Sequence, residues 1–207
     1  MISRILLTVL LIGSVIFIVQ KGPASAPRPL AATQTNSGTG HRLANSMQAK
    51  LDHIQQNGQL ARPDQMPTIL TEEEVNDYIA SDHIILPQGV KKLRMEGRTG
   101  VVTAFLNVDF DEIRGGQKSA NPMLSIFSGR HDVRVEASAS GSGGQGRVSV
   151  REVTIDGFSV PRMALEFFVS KYISPKYPNL GIDSEFQLPD RIDLATVGYH
   201  KLTVTQK

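Results

Sequence analysis

The sequence predicts an α+β fold in which a curved antiparallel sheet wraps around a helix in the C-terminal half of the chain. From about residue 90 onwards, apolar residues recur at every second position in several segments, which is the spacing of half-buried strands. Residues 161–174 are the exception, because their apolar side chains extend around most of a helical pattern, so this helix needs to be enclosed. N-terminal helices and an N-terminal membrane or signal segment precede the sheet.

The composition excludes several classes of function. The chain has 207 residues, of which 40% are hydrophobic and 20% charged, with a formal net charge of +2. Lysine and arginine alternate with aspartate and glutamate, so there is no basic stripe for a nucleic acid backbone. The sequence has no cysteine, which excludes disulfides and thiolate metal ligands. Its five histidines are scattered, so we expect neither a metal site nor a cofactor.

The N-terminus predicts export. Arg4 precedes an apolar run from Ile5 to Val19, which makes roughly 22 Å of helix at about 1.5 Å per residue. That length is short for a membrane span and long for the apolar part of a signal peptide, so residues 1–21 are a signal peptide or a signal anchor. The triplet at 24–26 resembles a cleavage site, but Pro27 follows directly and disfavours cleavage. We expect a periplasmic or otherwise extracytoplasmic domain held at the inner membrane by residues 5–19.

A linker and two helices follow this segment. Residues 22–41 are rich in small residues and proline, and predict a flexible linker that spans on the order of 25 Å. Residues 42–69 predict an amphipathic helix that stops at Asn57-Gly58, followed by a connector. A second helix begins after Thr71, because Thr71 and Glu74 have the spacing of a capping box.

Residues 70–207 form the predicted α+β domain. Strands are expected at residues 90–96 and 100–110, on both sides of residues 141–146, and in a closing hairpin of residues 191–197 and 199–206. Residues 114–130 contain two glycines and an Asn-Pro pair, and predict a flap or a short helix. A shift in the alternation at Arg151-Glu152 predicts a β-bulge.

Residues 141–146 (GSGGQG) match the G-x-G-x-x-G fingerprint of dinucleotide-binding folds. That fingerprint functions only where a helix follows, since the pyrophosphate binds at the helix N-terminus. Here an alternating, β-branched segment follows instead. The run therefore predicts the loop of a β-hairpin, in which glycine adopts positive φ without strain.

Two further groups of residues have candidate chemistry. Asp109, Asp111 and Glu112 could bind calcium, but the twelve-residue EF-hand loop is absent, so we interpret them as solvated carboxylates. Ser125, Ser128, His131 and Asp132 could be drawn into a catalytic triad, but no G-x-S-x-G turn presents a serine. We expect that the protein is not an enzyme. A hydrolase that uses Ser125 or His131 is kept as a hypothesis beside the two non-enzymatic functions given below.

Three sequence segments have the character of one protein family: LTEEEVNDYIAS at 70–81, VTIDGFSVPRMALEFFV at 153–169 and FQLPDRIDLATVGYHKLTV at 186–204. Their order resembles small bacterial envelope proteins of the tubular lipid-binding (TULIP-like) type. This resemblance implies a strongly curved sheet around a helix, with an apolar groove that binds the acyl chains of a phospholipid or glycolipid. The groove positions that it implies are Val102, Ala104, Leu106, Val133, Val135, Ala137, Leu165 and Phe168.

Two functions remain open at this point. The first is a membrane-tethered lipid carrier or sensor of the envelope. The alternative is a structural or assembly protein of the envelope with a filled core, which binds another protein through the helix of residues 43–57 or through an edge strand. Periodicity does not distinguish a hollow interior from a filled one. A continuous apolar cavity beneath the helix of residues 161–174 would favour the first function, and a filled core would favour the second.

Overall fold

The computed structural model describes residues 42–81, 83–116, 122–177 and 181–207. The expected signal segment (1–21) and linker (22–41) lie outside the described residues. In the part of the chain that the structure describes, no helix is both long enough and apolar enough to cross a bilayer. The described residues form an α+β fold with one large antiparallel sheet and a few helices.

The helices are α1 (Arg42–Gly58), α2 (Glu72–Ala80), α3 (Phe110–Ile113) and α4 (Arg162–Phe168), and α4 continues as a π-helical stretch (Val169–Ile173). A 3₁₀ turn covers Pro122–Leu124. The strands are β1 (Thr68–Thr71), β2 (Val90–Arg98), β3 (Val101–Asp109), β4 (Arg130–Ser142), β5 (Gln145–Ile155), β6 (Phe158–Ser159), β7 (Asp183–Gln187), β8 (Ile192–Gly198) and β9 (Lys201–Gln206). Their order is β1-β9-β8-β4-β3-β2, and β5 pairs with β4, β6 and β7.

Strand β4 organises the sheet. One of its edges pairs with β3 from Arg130 to Ser138 and then with β8 at Ser140 and Gly141. Its other edge pairs with β5. The β2–β3 and β8–β9 hairpins therefore meet end to end along β4, where the Gly100 amide donates to the Val197 carbonyl at 2.9 Å. This arrangement gives the sheet one continuous inner face.

The glycine run is the tip of the β4–β5 hairpin, as predicted. Gly143 and Gly144 form a two-residue loop with φ values of +61° and +77°, which suits the twist of the flanking strands. Gly141 and Gly146 have a different role, because they lie opposite each other within the strands. A Cβ atom on Gly146 would lie 2.5 Å from the Phe186 ring. Gly141 and Gly146 therefore allow neighbouring strands to pack closely.

Most of the predicted local features are confirmed, and three strands are not predicted by the sequence. The Thr71 hydroxyl accepts from the Glu74 amide, which completes the capping box, and Arg151 is the extra residue of the predicted bulge. The sequence does not predict β1, β7 or the two-residue β6. Strand β1 has only four residues, and β7 has a mostly polar sequence in a segment interrupted by prolines.

The two N-terminal helices pack against one end of the inner face and against each other. The apolar stripe of α1 is buried in the same core as the sheet. Glu74 of α2 accepts hydrogen bonds from Ser46 at 2.7 Å and from Lys50 at 2.6 Å. Burial alone would raise the pKa of Glu74, but the hydrogen bonds from Lys50, the Thr71 amide and Ser46 lower it to about 2. Glu74 therefore joins α1 to α2 as a carboxylate.

Helix α2 also covers the outer edge of β2. The Asn76 side-chain amide donates to the Met95 carbonyl at 2.8 Å and accepts from the Met95 amide at 2.7 Å. One turn earlier, the Glu72 carboxylate accepts from the Gly97 amide at 2.9 Å. These side chains satisfy backbone groups that an edge strand would otherwise expose to another chain.

Candidate functional site

The eight residues that the resemblance implies as groove positions share one face of the fold. Their strand members form three cross-strand pairs between β3 and β4, namely Val102 with Ala137, Ala104 with Val135 and Leu106 with Val133. Leu165 and Phe168 project from α4 into the same core, and all eight side chains are buried. The structure therefore brings these residues into one buried apolar cluster, in which Leu106, Val133 and Val135 face Leu165 and Phe168 across the space beneath α4.

Little empty space remains in this cluster. A cavity of about 50 Å³ lies between α4 and the sheet. Its lining is entirely apolar: Val90, Leu106, Val108, Phe110, Ile113, Phe127, Val133, Val135, Val153, Ile155, Leu165, Phe168 and Ile173. Val102 borders a second cavity of about 50 Å³ beneath α2, whereas Ala104 and Ala137 border neither cavity. Both cavities are several-fold smaller than the roughly 300–1,000 Å³ of typical ligand pockets.

An aromatic cluster closes the cavity on the side of α4. The Phe168 ring stacks on Phe127 with centroids 4.3 Å apart and meets the edge of Phe110 at 5.5 Å. Phe110 begins α3, and Phe127 belongs to the segment predicted as a flap. Sequence reasoning did not place these two rings at the site. The small apolar cluster of residues 123–127 was the only signal that the flap contributes to the core.

Tyr172 is a buried polar residue at the edge of the site. Its side chain lies in the π-helical stretch, is 6% exposed and packs against Phe168, with ring centroids 5.3 Å apart. Its hydroxyl has no hydrogen-bond partner among the described residues. A buried hydroxyl without a partner is unusual, because it loses its hydrogen bonds to water and gains none in return.

The outer side of α4 carries two apolar side chains beside the Arg162–Glu166 ion pair. Met163 is 58% exposed and Phe167 is 48% exposed, and their i, i+4 spacing makes them neighbours on the helix surface. Phe158 of β6, shortly before α4, is exposed as well. Helix α4 therefore has an apolar inner face that covers the cavity and an outer face on which an apolar pair contacts solvent.

A larger depression lies on the opposite face of the sheet. This open groove has a volume of about 1190 Å³, and Phe105 lies at its floor, with the Arg94 guanidinium 4.8 Å from the ring centroid. Charged residues surround it and pair with one another, as Arg94 does with Glu96 at 2.6 Å and Arg134 with Glu136 at 2.7 Å. The groove is open to solvent, and its lining combines charged residues with apolar ones such as Ile84, Leu86 and Leu93.

The structure does not assemble the catalytic triad considered from the sequence. His131 Nδ1 lies 2.5 Å from Asp156, and His131 Nε2 lies 2.7 Å from the Ser128 carbonyl oxygen. The Ser125 hydroxyl donates to the Pro122 carbonyl. The hydrogen bond to Asp156 raises the pKa of His131, and the Ser128 carbonyl adds to this effect. Both ring nitrogens are therefore occupied, and His131 activates no serine in this arrangement.

The acidic cluster at the end of β3 is satisfied by protein groups. Asp109 caps α3 by accepting from the Glu112 amide at 3.2 Å, and the Glu112 carboxylate pairs with Lys91 at 2.6 Å. Asp111 pairs with Arg114. Across residues 42–81, 83–116, 122–177 and 181–207, no group of three or more histidine or acidic side chains could hold a metal ion.

Comparison of the chain with protein-family models, curated proteins and solved structures found no match. The candidate site is therefore defined by its own geometry, which is an apolar layer beneath α4 with a small internal cavity, an unpartnered tyrosine hydroxyl and an exposed apolar pair on the outer side of α4.

Proposed function

We propose that this chain is an exported, membrane-tethered and non-enzymatic module that binds lipid acyl chains between α4 and the sheet. Its biological role is that of a carrier or sensor for a phospholipid or glycolipid on the extracytoplasmic side of the inner membrane. In this proposal residues 5–19 anchor the chain in the membrane. The curved sheet wraps around α4, as the resemblance to TULIP-like proteins implies.

The single observation that supports this proposal is that α4 covers an apolar cavity on one side and exposes an apolar pair, beside the Arg162–Glu166 ion pair, on the other. A helix that only completes a core has one apolar face and one polar face. Here Leu165 and Phe168 cover an entirely apolar cavity, while Met163 and Phe167 remain exposed. A helix that moves between a closed core and a lipid-filled one needs apolar side chains on both faces.

The proposal requires α4 to move, because the cavity of about 50 Å³ is too small for an acyl chain. Helix α4 packs on the sheet through its buried side chains, and an ion pair between Arg162 and Asp183 of β7 links it to the sheet at 2.7 Å. Its first residue, Arg162, follows Pro161, which provides no side-chain cap. In the lipid-bound state, outward displacement of α4 opens the space that the acyl chain fills.

The test is lipid retention by the purified full chain, measured by native mass spectrometry and by uptake of a fluorescent phospholipid. We expect bound lipid in the wild type and loss of uptake in Leu106→Trp, because the larger side chain fills the cavity while the core stays apolar. Phe168→Asp is the companion variant, since a carboxylate would have to be buried beside the acyl chain. A wild-type chain that is repeatedly free of lipid and takes up no phospholipid would refute the proposal.

A second candidate function is an assembly module of the envelope that binds another protein. The observation that favours it is the filled core, since the interior cavities of the described residues are small. The apolar stripe of α1 is buried in that core, so a partner at residues 43–57 would contact the polar face of the helix. A partner that adds a strand could use β7, which pairs only with β5 among the described strands. Under this function Leu106→Trp leaves partner binding intact, whereas Glu185→Pro in β7 abolishes it.

A further inference from the structure

The Tyr172 hydroxyl is a buried donor for which the described residues provide no acceptor. Among the described residues it is the only fully buried hydroxyl without a partner, and Tyr78 gives the closest comparison. Tyr78 is 7% exposed, almost as deeply buried as Tyr172 at 6%, yet its hydroxyl donates to the Gln48 side chain at 2.6 Å. Burial without a partner disfavours the folded state, so the Tyr172 hydroxyl requires an explanation of its own.

The location of Tyr172 connects it to the cavity. Its ring packs on Phe168, which lines the cavity, and the next residue, Ile173, lines it directly. Both Tyr172 and Ile173 belong to the π-helical stretch Val169–Ile173. Such stretches occur frequently at functional sites, because they change the direction of side chains within a helix. Tyr172 itself does not line the cavity, so its hydroxyl meets the polar group of a ligand when α4 is displaced, as the proposed function requires.

We propose that Tyr172 is the polar contact for the bound lipid. Its hydroxyl donates a hydrogen bond to the carbonyl or carboxylate oxygen at the head of an acyl chain, and the tail lies between Phe168 and the sheet. This assignment rests on the proposed function. It predicts that the ligand is an acyl compound with an oxygen acceptor, namely a free fatty acid or an acyl ester. Such a compound should bind more tightly than a plain hydrocarbon of the same length.

The test compares Tyr172→Phe with Tyr78→Phe in the full chain purified in an alkyl-glycoside detergent, which carries no acyl carbonyl. The two variants remove the same hydroxyl from equally buried positions. Without added ligand we expect Tyr172→Phe to raise the unfolding temperature by about 2–4 °C, because it removes an unsatisfied group. We expect Tyr78→Phe to lower the unfolding temperature, because it leaves the Gln48 side chain without its donor.

Binding is then measured with three ligands, which are palmitate, a dipalmitoyl phospholipid and hexadecane. We expect Tyr172→Phe to bind palmitate, the phospholipid or both about three- to tenfold more weakly than the wild type, as for the loss of one hydrogen bond. The weakened ligand identifies the source of the acyl group. Hexadecane binding should be the same in both proteins, and Tyr78→Phe should bind all three ligands as the wild type does.

Two results would overturn the assignment while leaving the proposed function intact. One is a wild type that binds acyl ligands and a Tyr172→Phe variant that binds them equally well. The other is a lower unfolding temperature for Tyr172→Phe, which would show that a buried water satisfies the hydroxyl. A wild-type chain that binds none of the three ligands would refute both the assignment and the proposed function.

Discussion

Exchange of the exposed apolar pair on α4 for polar residues should slow lipid uptake without unfolding the chain. Phe167 is 48% exposed, so docking on a bilayer buries roughly 70–120 Å² of its side chain, which corresponds to about 2–3 kcal/mol. Met163, at 58% exposed, adds about 1–2 kcal/mol. Loss of about 3 kcal/mol reduces the docked fraction about 100-fold. We therefore expect Met163→Gln/Phe167→Gln to take up lipid about 100-fold more slowly.

The assay measures the initial rate at which a fluorescent fatty acid moves from a vesicle bilayer into the full chain anchored in that vesicle. Residues 1–41 are the same in every variant, so a change in rate reports on α4. The control is Leu60→Gln/Tyr199→Gln, which alters two equally exposed apolar residues on other elements and should leave the rate unchanged. Wild-type uptake by the α4 variant would refute the assignment of its outer face to membrane contact.

Three further predictions concern the scaffold. Asn76→Ala leaves the Met95 amide and carbonyl unpaired, and should reduce the free energy of unfolding in urea by about 1–3 kcal/mol. Since the pKa of Glu74 is lowered from 4.5 to about 2, the carboxylate stabilises the fold above pH 4.5, and this stabilisation is lost as the pH falls towards 2. Glu74→Gln should remove on the order of 3 kcal/mol of that acid dependence, measured as unfolding free energy against pH. Gly146→Ala, whose Cβ would lie 2.5 Å from the Phe186 ring, should lower the unfolding temperature by several degrees in a thermal melt, and an unchanged temperature would contradict this prediction.

Elements with a strong local signal can be predicted from this sequence. The capping box of Thr71 and Glu74 sets the start of α2, and Gly143-Gly144 sets the β4–β5 turn. Both signals depend on neighbouring residues alone. Strands β1 and β7 are different, because β1 has only four residues and β7 is mostly polar, and both exist through pairing with β9 and β5.

The candidate site likewise has features that the sequence predicts and features that depend on the tertiary structure. Alternation places Leu106 and Val133 on one face, and the structure pairs them there. The amount of free space under α4 depends on Phe110 and Phe127, which come from segments that periodicity does not connect to the sheet. The Tyr172 hydroxyl lacks a partner because of the side chains that surround it in space, so no sequence pattern predicts this feature.

The pairing of β1 with β9 has a consequence for the order of folding. Leu70 of β1 is completely buried opposite Leu202, and Asn57 of α1 bonds to Gln206, which is 149 residues further along the chain. Contacts between such distant residues form late, since a long loop must close before they contribute. Helix α1 and strand β1 therefore form these native contacts only after β9 is available to pair. If the chain is exported as proposed, α1 and β1 gain these partners only after β9 has crossed the membrane.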